Sequence, residues 1–387
     1  MALAGTLSTL PHWTNNISTI PTPCYLIDEE QLINNLVTLN HVKSSTNCKI
    51  LLALKGYSTF TTFPLLRKYL DGVTASSLYE AKLGYEEFNK NIHFYSVASS
   101  LEDVKQVMTL CSTISCNSIN QLRLFQSIAT NHPSIGLRIN PNISTVKTKL
   151  YDPCQKFSRL GVPIEQMNNS IFSEIDGIHF HALCEQNTDA LEKVLSEIEQ
   201  TFGDYLKHLK WMNWGGGHHI TRKDYNLKHL IDLINHWKKK YNIEIILEPG
   251  EAVALNCGYY VTEVLDIIEN EKEIAVCDIS ATCHMPDVLE YPYRPNILSA
   301  GNFNEKKFSY TIAGNTCLAG DVIGEYSFES PLTIGSKLIL DDMGHYTIVK
   351  TSNFNGIKQP SIGMINKLGK ITVIKNSCYH NFKERLS

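Results

Sequence analysis

An ammonium group, a pair of imidazoles, three consecutive glycines and a carboxylate each close an apolar stretch of this 387-residue chain. In "KILLALKG", Leu51, Leu52, Ala53 and Leu54 lead into Lys55. In "GIHFHAL", His179 and His181 stand two apart; "WMNWGGG" ends on Gly215, Gly216 and Gly217; and "EIILEPG" carries Glu248 just before Pro249 and Gly250. A lysine at the tip of a buried strand either marks the water line or is held there for its amine. Residues two apart on a strand share a face, so the histidines could ligate a metal with His218, His219 or Cys184, or one could lie flat against an aromatic ring while the other sits in the core. A glycine run loses entropy on folding and is tolerated at tight turns or where backbone amides approach an anion such as phosphate. This one lacks the lysine and spacing of a P-loop. Taken together, an amine, a phosphate cradle, a stacking ring and a carboxylate for a pyridinium nitrogen are what pyridoxal phosphate requires.

These groups can act together only if the fold brings them together. Eight short apolar segments, at 49–55, 72–77, 91–96, 112–118, 134–140, 177–183, 211–217 and 244–250, read as strands. Spacers such as "SLYEAKLGYEEF", "LEDVKQVMTL", "INQLRLFQSIA" and "ALEKVLSEIEQTF" repeat apolar residues at helical spacing. Eightfold alternation predicts an α/β chain with a TIM-like (β/α)8 barrel, whose chemistry sits at the carboxyl ends of the strands; an open doubly wound sheet is the rival. Ser76, Ser77, Arg138 and Asn140 also stand at such ends. The gap from Pro141 to Asp176 reads as a functional loop. Beyond Val264 the texture turns to short β-rich segments, among them "EIAVCDIS", "KFSYTIAG", "SKLILDD", "HYTIVK" and "ITVIK". The expected division is a cofactor-binding barrel over residues 27–264 and a mostly β domain over 265–387, with residues 1–26 packing against the latter.

Composition narrows the partners. With 35 basic against 39 acidic residues, the net charge of −4 argues against a broad grip on nucleic acid. The start, "MALAGTLSTLPHW", lacks the basic and apolar regions of a secretory leader, and no apolar run is long enough to cross a bilayer. The 11 cysteines show neither a disulfide framework nor a paired CxxC zinc pattern. These features predict a cytosolic, cytoplasmic enzyme with reduced thiols and no membrane partner.

The ordered motifs "TPCYLID", "ALKG", "GLRINP", "FSRLG", "HFHALCE", "NWGGGHHIT", "EPGEA", "ATCHMPDVLEYPYRP", "GNTCLAGDVIGEY" and "DDMGHYT" run from Thr22 to Tyr346. Together they resemble the barrel-type pyridoxal-phosphate decarboxylases, a family with the alanine racemase fold that includes the ornithine, arginine and diaminopimelate enzymes, and most nearly its carboxynorspermidine branch. The resemblance implies that Lys55 carries the cofactor, His181 stacks on its ring, Gly215, Gly216 and Gly217 bind its phosphate with help from Tyr346, and Glu248 pairs with the ring nitrogen. It implies a homodimer with shared active sites, in which Cys317 is lent by a second protomer as a proton donor. The implied substrate is a polyamine with one amino-acid end, such as carboxynorspermidine or carboxyspermidine. Glu251, Asp287, Glu290 and Asp321 are candidate anions for its distal amines, with Glu251 and Asp287 preferred. Arg294 is a candidate clamp for its carboxylate, and Ser158 and Arg159 are expected to border the site.

This chain departs from the ornithine-type pattern. It has "HALCE" from His181 to Glu185 in place of "HVGSG", and Glu251 in place of an arginine, which fits a cationic substrate. A diaminopimelate decarboxylase, an amino acid racemase, a non-catalytic cofactor-binding protein and a zinc-dependent barrel hydrolase are the competing readings. A racemase would prefer an arginine to Glu248, and a non-catalytic binder would lack the β domain.

Overall fold

A computed structural model describes residues 10–128 and 133–387. Residues 1–9, on which much of the leader reading rests, lie outside that range. The chain forms two compact units, one of residues 34–253 and one of residues up to 33 together with 254–387.

In the first unit the strands Lys49–Ala53, Gly72–Ala75, Asn91–Tyr95, Thr113–Cys116, Ser134–Asn140, Gly177–His179, Trp211–Asn213 and Glu244–Leu247 pair in that order, and the last pairs with the first. Every pairing is parallel, so the sheet is a closed eight-stranded barrel and the open-sheet alternative is ruled out. All but one of the strands, Ser134–Asn140, are shorter than the apolar segments that contain them. Lys55, Ser76, His181, Gly215 and Glu248 therefore sit just beyond strand ends, where the chain is free to turn. The helices cover the outer face by their apolar stripes. Thr188–Phe202 buries Ala190, Leu191, Val194, Leu195, Ile198 and Phe202, and Asn187 caps its start. Leu101–Leu110 begins at Ser100, whose Oγ accepts the Asp103 N–H at 3.1 Å.

The barrel floor is one interlocking set. Gly136, Gly177 and Trp211 are in register on adjacent strands. A Cβ on Gly177 would lie 2.2 Å from the Trp211 ring, and one on Gly136 would lie 2.6 Å from the same indole and 2.2 Å from Gly177 O. Trp211 thus fills the volume that two absent side chains leave, and its Nε1–H donates to Ser134 Oγ at 2.8 Å.

The second unit is an eight-stranded mixed sheet. Its order is Val322–Phe328, Phe308–Ala313, Lys272–Cys277, Gly258–Asn270, Cys24–Asp28, Ser361–Ile365 and Ile371–Lys375, with Lys337–Asp341 also pairing to Gly258–Asn270. Tyr25, Tyr260, Tyr310 and Tyr326 form part of its core. The division between units differs from the expected one. Gly258–Asn270 is a single 13-residue strand that runs through the expected boundary at 264, and Cys24–Asp28 lies against it. The expected strand at "HYTIVK" is instead a short 3-10 turn, Ile348–Lys350. Tyr346, at φ +51°, takes a left-handed conformation that a continuous strand does not accommodate.

We expect Gly177→Ala to lower stability by about 1–3 kcal/mol through overpacking against the floor indole, read as a lower urea midpoint. An unchanged midpoint would mean that Trp211 moves aside without cost.

Candidate active site

Lys55, Tyr95, Arg138, His181, Gly216 and Glu248 line one cavity of the barrel unit, at the carboxyl ends of the strands. Glu248 follows Leu247, and its backbone N–H donates to Gly215 O at 2.8 Å, which turns the side chain inward. The residue is 7% exposed. Asn213 Nδ2 donates to its Oε1 at 2.6 Å; His179 Nε2 lies 3.5 Å from Oε2 and His93 Nε2 lies 3.9 Å from Oε1. Asn213 also accepts the Gly215 N–H at 2.8 Å through Oδ1, so one amide side chain fixes both the carboxylate and the start of the glycine run.

Lys55 is solvent-accessible in the cavity, and desolvation by the surrounding protein first, then the positive charge of Arg138, hold its pKa below the ordinary lysine value; Glu248 acts in the opposite direction. An amine so placed is deprotonated, and hence nucleophilic, more readily than a surface lysine. Arg138 lies over the Tyr95 ring at 4.5 Å from its centroid and donates to His181 O at 3.3 Å. Burial likewise dominates at His181, with Lys55 and Arg138 adding to it, and its pKa falls well below the usual value. The Gly216 N–H donates to His181 Nδ1 at 2.9 Å, so the neutral ring carries its proton on Nε2.

The glycines answer a steric demand as well as any ligand. Gly215 and Gly217 have φ of +66° and +83°. A Cβ at Gly215 would meet Phe180 O at 2.5 Å, one at Gly216 would meet Glu248 O at 2.5 Å, and one at Gly217 would collide with Leu183 O. The amides of Gly215 and Gly216 already have partners within the chain, in Asn213 and His181.

The long loop after the fifth barrel strand is fastened to the cavity wall. Asn117 Oδ1 accepts from both Tyr95 OH and the Gly161 N–H at 2.7 Å, and its Nδ2 donates to Arg159 O at 2.9 Å. Ser158 Oγ accepts the Leu160 N–H at 3.2 Å. Glu251 Oε2 lies 3.0 Å from His219 Nε2.

The remaining expected site residues belong to the other unit. Cys317 is exposed, and its N–H donates to Asn355 Oδ1 at 2.7 Å. Tyr346 packs edge-on to His345. Lys350 Nζ is 2.6 Å from Asp287 Oδ1 and 2.7 Å from Glu290 Oε2. Two expectations give way to structural roles. Asp321 is 3% exposed and both its oxygens are engaged, by Ser280 Oγ at 2.8 Å, the Ala281 N–H at 2.7 Å and Thr316 Oγ1, so it ties loops together rather than presenting a charge to substrate. Arg294, exposed, folds over the Tyr326 ring at 4.6 Å and donates to Asn302 Oδ1 at 2.8 Å and Glu325 O at 3.1 Å, a surface brace rather than a free clamp.

His93, Tyr95, Asn213 and the role of Arg138 escaped the sequence reading. Their signal was present as polar residues inside apolar strands, but which of them face one another depends on the closed ring. Among the described residues no three His, Cys, Asp or Glu side chains gather as metal ligands, and His179 instead faces Glu248.

A family profile described as the pyridoxal-dependent decarboxylase C-terminal sheet domain matches residues 24–344. Carboxynorspermidine/carboxyspermidine decarboxylase of Campylobacter jejuni is 41% identical over 95% of this chain and 98% of that protein. Carboxyaminopropylagmatine decarboxylase of Synechocystis is 40% identical, covering 96% of each chain. The crystal structure of the Campylobacter jejuni carboxynorspermidine decarboxylase complexed with norspermidine superposes with a TM-score of 0.89, at 40% identity, covering 95% of this chain and all of that one.

The buried histidines make a prediction for the ligand-free chain. Burial lowers the pKa of His93, His179, His181 and His218, the last to about 4. Each therefore leaves stability intact above about pH 6.5. As pH falls below that, the unfolded chain takes up protons that the fold refuses. The urea midpoint should drop between about pH 7.5 and about pH 5; a constant midpoint would show these rings charged in the native state.

Proposed function

The chain belongs to the pyridoxal-dependent decarboxylases, and we propose that it removes the carboxylate from the amino-acid end of a polyamine, with carboxynorspermidine or carboxyspermidine as substrate. The observation that carries this reading is the convergence of Lys55, Glu248 and neutral His181 on one cavity. These residues fit pyridoxal phosphate: an accessible amine of lowered pKa to hold its aldehyde, a buried carboxylate for its ring nitrogen, and a flat uncharged ring to lie against it. When bound, the cofactor supplies a sink for the electron pair left behind as carbon dioxide departs.

The chain's own groups do the rest. Lys55 would hold the cofactor through its side-chain amine. Glu248 keeps a proton on the ring nitrogen, and His181, its Nδ1 tied to Gly216, presents a fixed face. The glycine loop is the barrel unit's candidate for the phosphate, and Tyr346 is the other unit's. Cys317 of a second copy returns a proton to the carbon that has lost its carboxylate, which makes a homodimer the working form; its exposure supports this. Glu251 is the barrel unit's candidate anion for a distal amine. Asp287, which already grips the ammonium of Lys350, is a second. A cytosolic setting accords with eleven free thiols. Among the described residues no helix is long and apolar enough to cross a membrane.

Carbon dioxide release from the purified protein tests the reading, with carboxynorspermidine, carboxyspermidine, carboxyaminopropylagmatine and diaminopimelate offered in turn. Release from the polyamine acids should require pyridoxal phosphate and fall to background in Lys55→Ala, which should also lose the visible absorbance of the bound cofactor. Release from diaminopimelate alone would overturn the substrate assignment.

A further inference from the structure

Behind the cavity lies a feature that the residues touching the cofactor do not explain. His179 is 2% exposed, lines the cavity, and has no hydrogen-bond partner at either ring nitrogen. Its Nε2 nevertheless points to within 3.5 Å of Glu248 Oε2. His93, 1% exposed, stands edge-on to it at 5.7 Å and 84°, with Trp211 edge-on to His93 at 5.4 Å and 86°. His93 Nε2 is anchored at Ser115 Oγ, 2.8 Å away. A line of rings thus rises from the barrel floor to the carboxylate.

We propose that His179, backed by His93, is a positioning residue that locks the second oxygen of Glu248 and so presents its charge to the ring nitrogen of bound pyridoxal phosphate. The inference rests on the function proposed above. Asn213 fixes Oε1, but a carboxylate held by one oxygen still pivots about its last carbon–carbon bond. A second donor, on Oε2, removes that freedom. An imidazole with its proton on Nε2 is such a donor, and the shortening of 3.5 Å to hydrogen-bond length is the step that cofactor binding would drive. Leaving two nitrogens of a buried ring unmatched is otherwise costly. A turned or protonated Glu248 could not hold a proton on the heterocycle.

Two variants test this. His179→Leu keeps bulk and removes the donor; His179→Gln keeps an N–H at similar reach. Pyridoxal phosphate is titrated into the apo forms and followed by absorbance, and kcat and KM are measured on the reloaded enzymes. His179→Leu should bind cofactor roughly tenfold more weakly, the scale of one hydrogen bond to a charged group. It should also lower kcat while KM stays within about twofold, and His179→Gln should recover most of both losses. Wild-type affinity and kcat in His179→Leu would overturn the inference, as would equal losses in both variants, which would mark a packing role. Melting curves of the apo forms identify a variant that merely unfolds. If the leucine variant does, the glutamine variant decides: near-wild-type cofactor affinity supports the role and a tenfold loss refutes it. A wild-type chain that takes up no pyridoxal phosphate would remove the proposed function and the inference together, whereas an unaltered leucine variant would remove the inference alone.

Discussion

A carboxylate placed where water scarcely reaches is the feature around which the barrel mouth is organised. Burying an ionised group costs several kcal/mol unless hydrogen bonds and opposite charge offset it. Glu248 receives such support from Asn213 at 2.6 Å and from two imidazoles standing further off. The cations nearby are not direct partners: Arg138 is turned onto the Tyr95 ring and the carbonyl of His181, and Lys55 is held toward its neutral form. The pocket therefore holds a carboxylate with which neither of these cations pairs directly.

The same support connects the mouth to the floor. Trp211 packs on His93, His93 on His179, and His179 faces the carboxylate. Strand register sets this order, because Gly177 and His179 share a strand and pair with Trp211 and Asn213 on the next. One slip of that pairing would turn either Asn213 or His179 out of the barrel and separate the two.

Much of this was legible in the sequence, for definite reasons. Parallel strands covered on both faces read as unbroken apolar runs, so all eight barrel strands were visible, and Lys55, His181 and Glu248 announced themselves by interrupting or ending such runs. Asn213 and His93 did not, because a polar residue within a strand acquires meaning only once its neighbours across the closed ring are known. The second unit was harder. Gly258–Asn270 carries Glu263, Asp266 and Glu269 at every third position of its second half and becomes exposed toward its end, so that half lacks the signal of a buried strand. Asp321 and Arg294 looked like chemistry because charge near a suspected site invites that reading; their partners, Ser280, Thr316, Tyr326 and Asn302, lie far along the chain or across a turn.

The indole at the base of the barrel has one more implication. Because a single large ring does space-filling that two side chains would ordinarily share, positions 177 and 211 behave as one block: a smaller residue at the second would open a hole that enlargement at the first could close, whereas a side chain at 136 would still strike the carbonyl of Gly177. Drift toward new substrates is thereby steered to the rim, where loops can be exchanged one at a time, while the plinth beneath stays put.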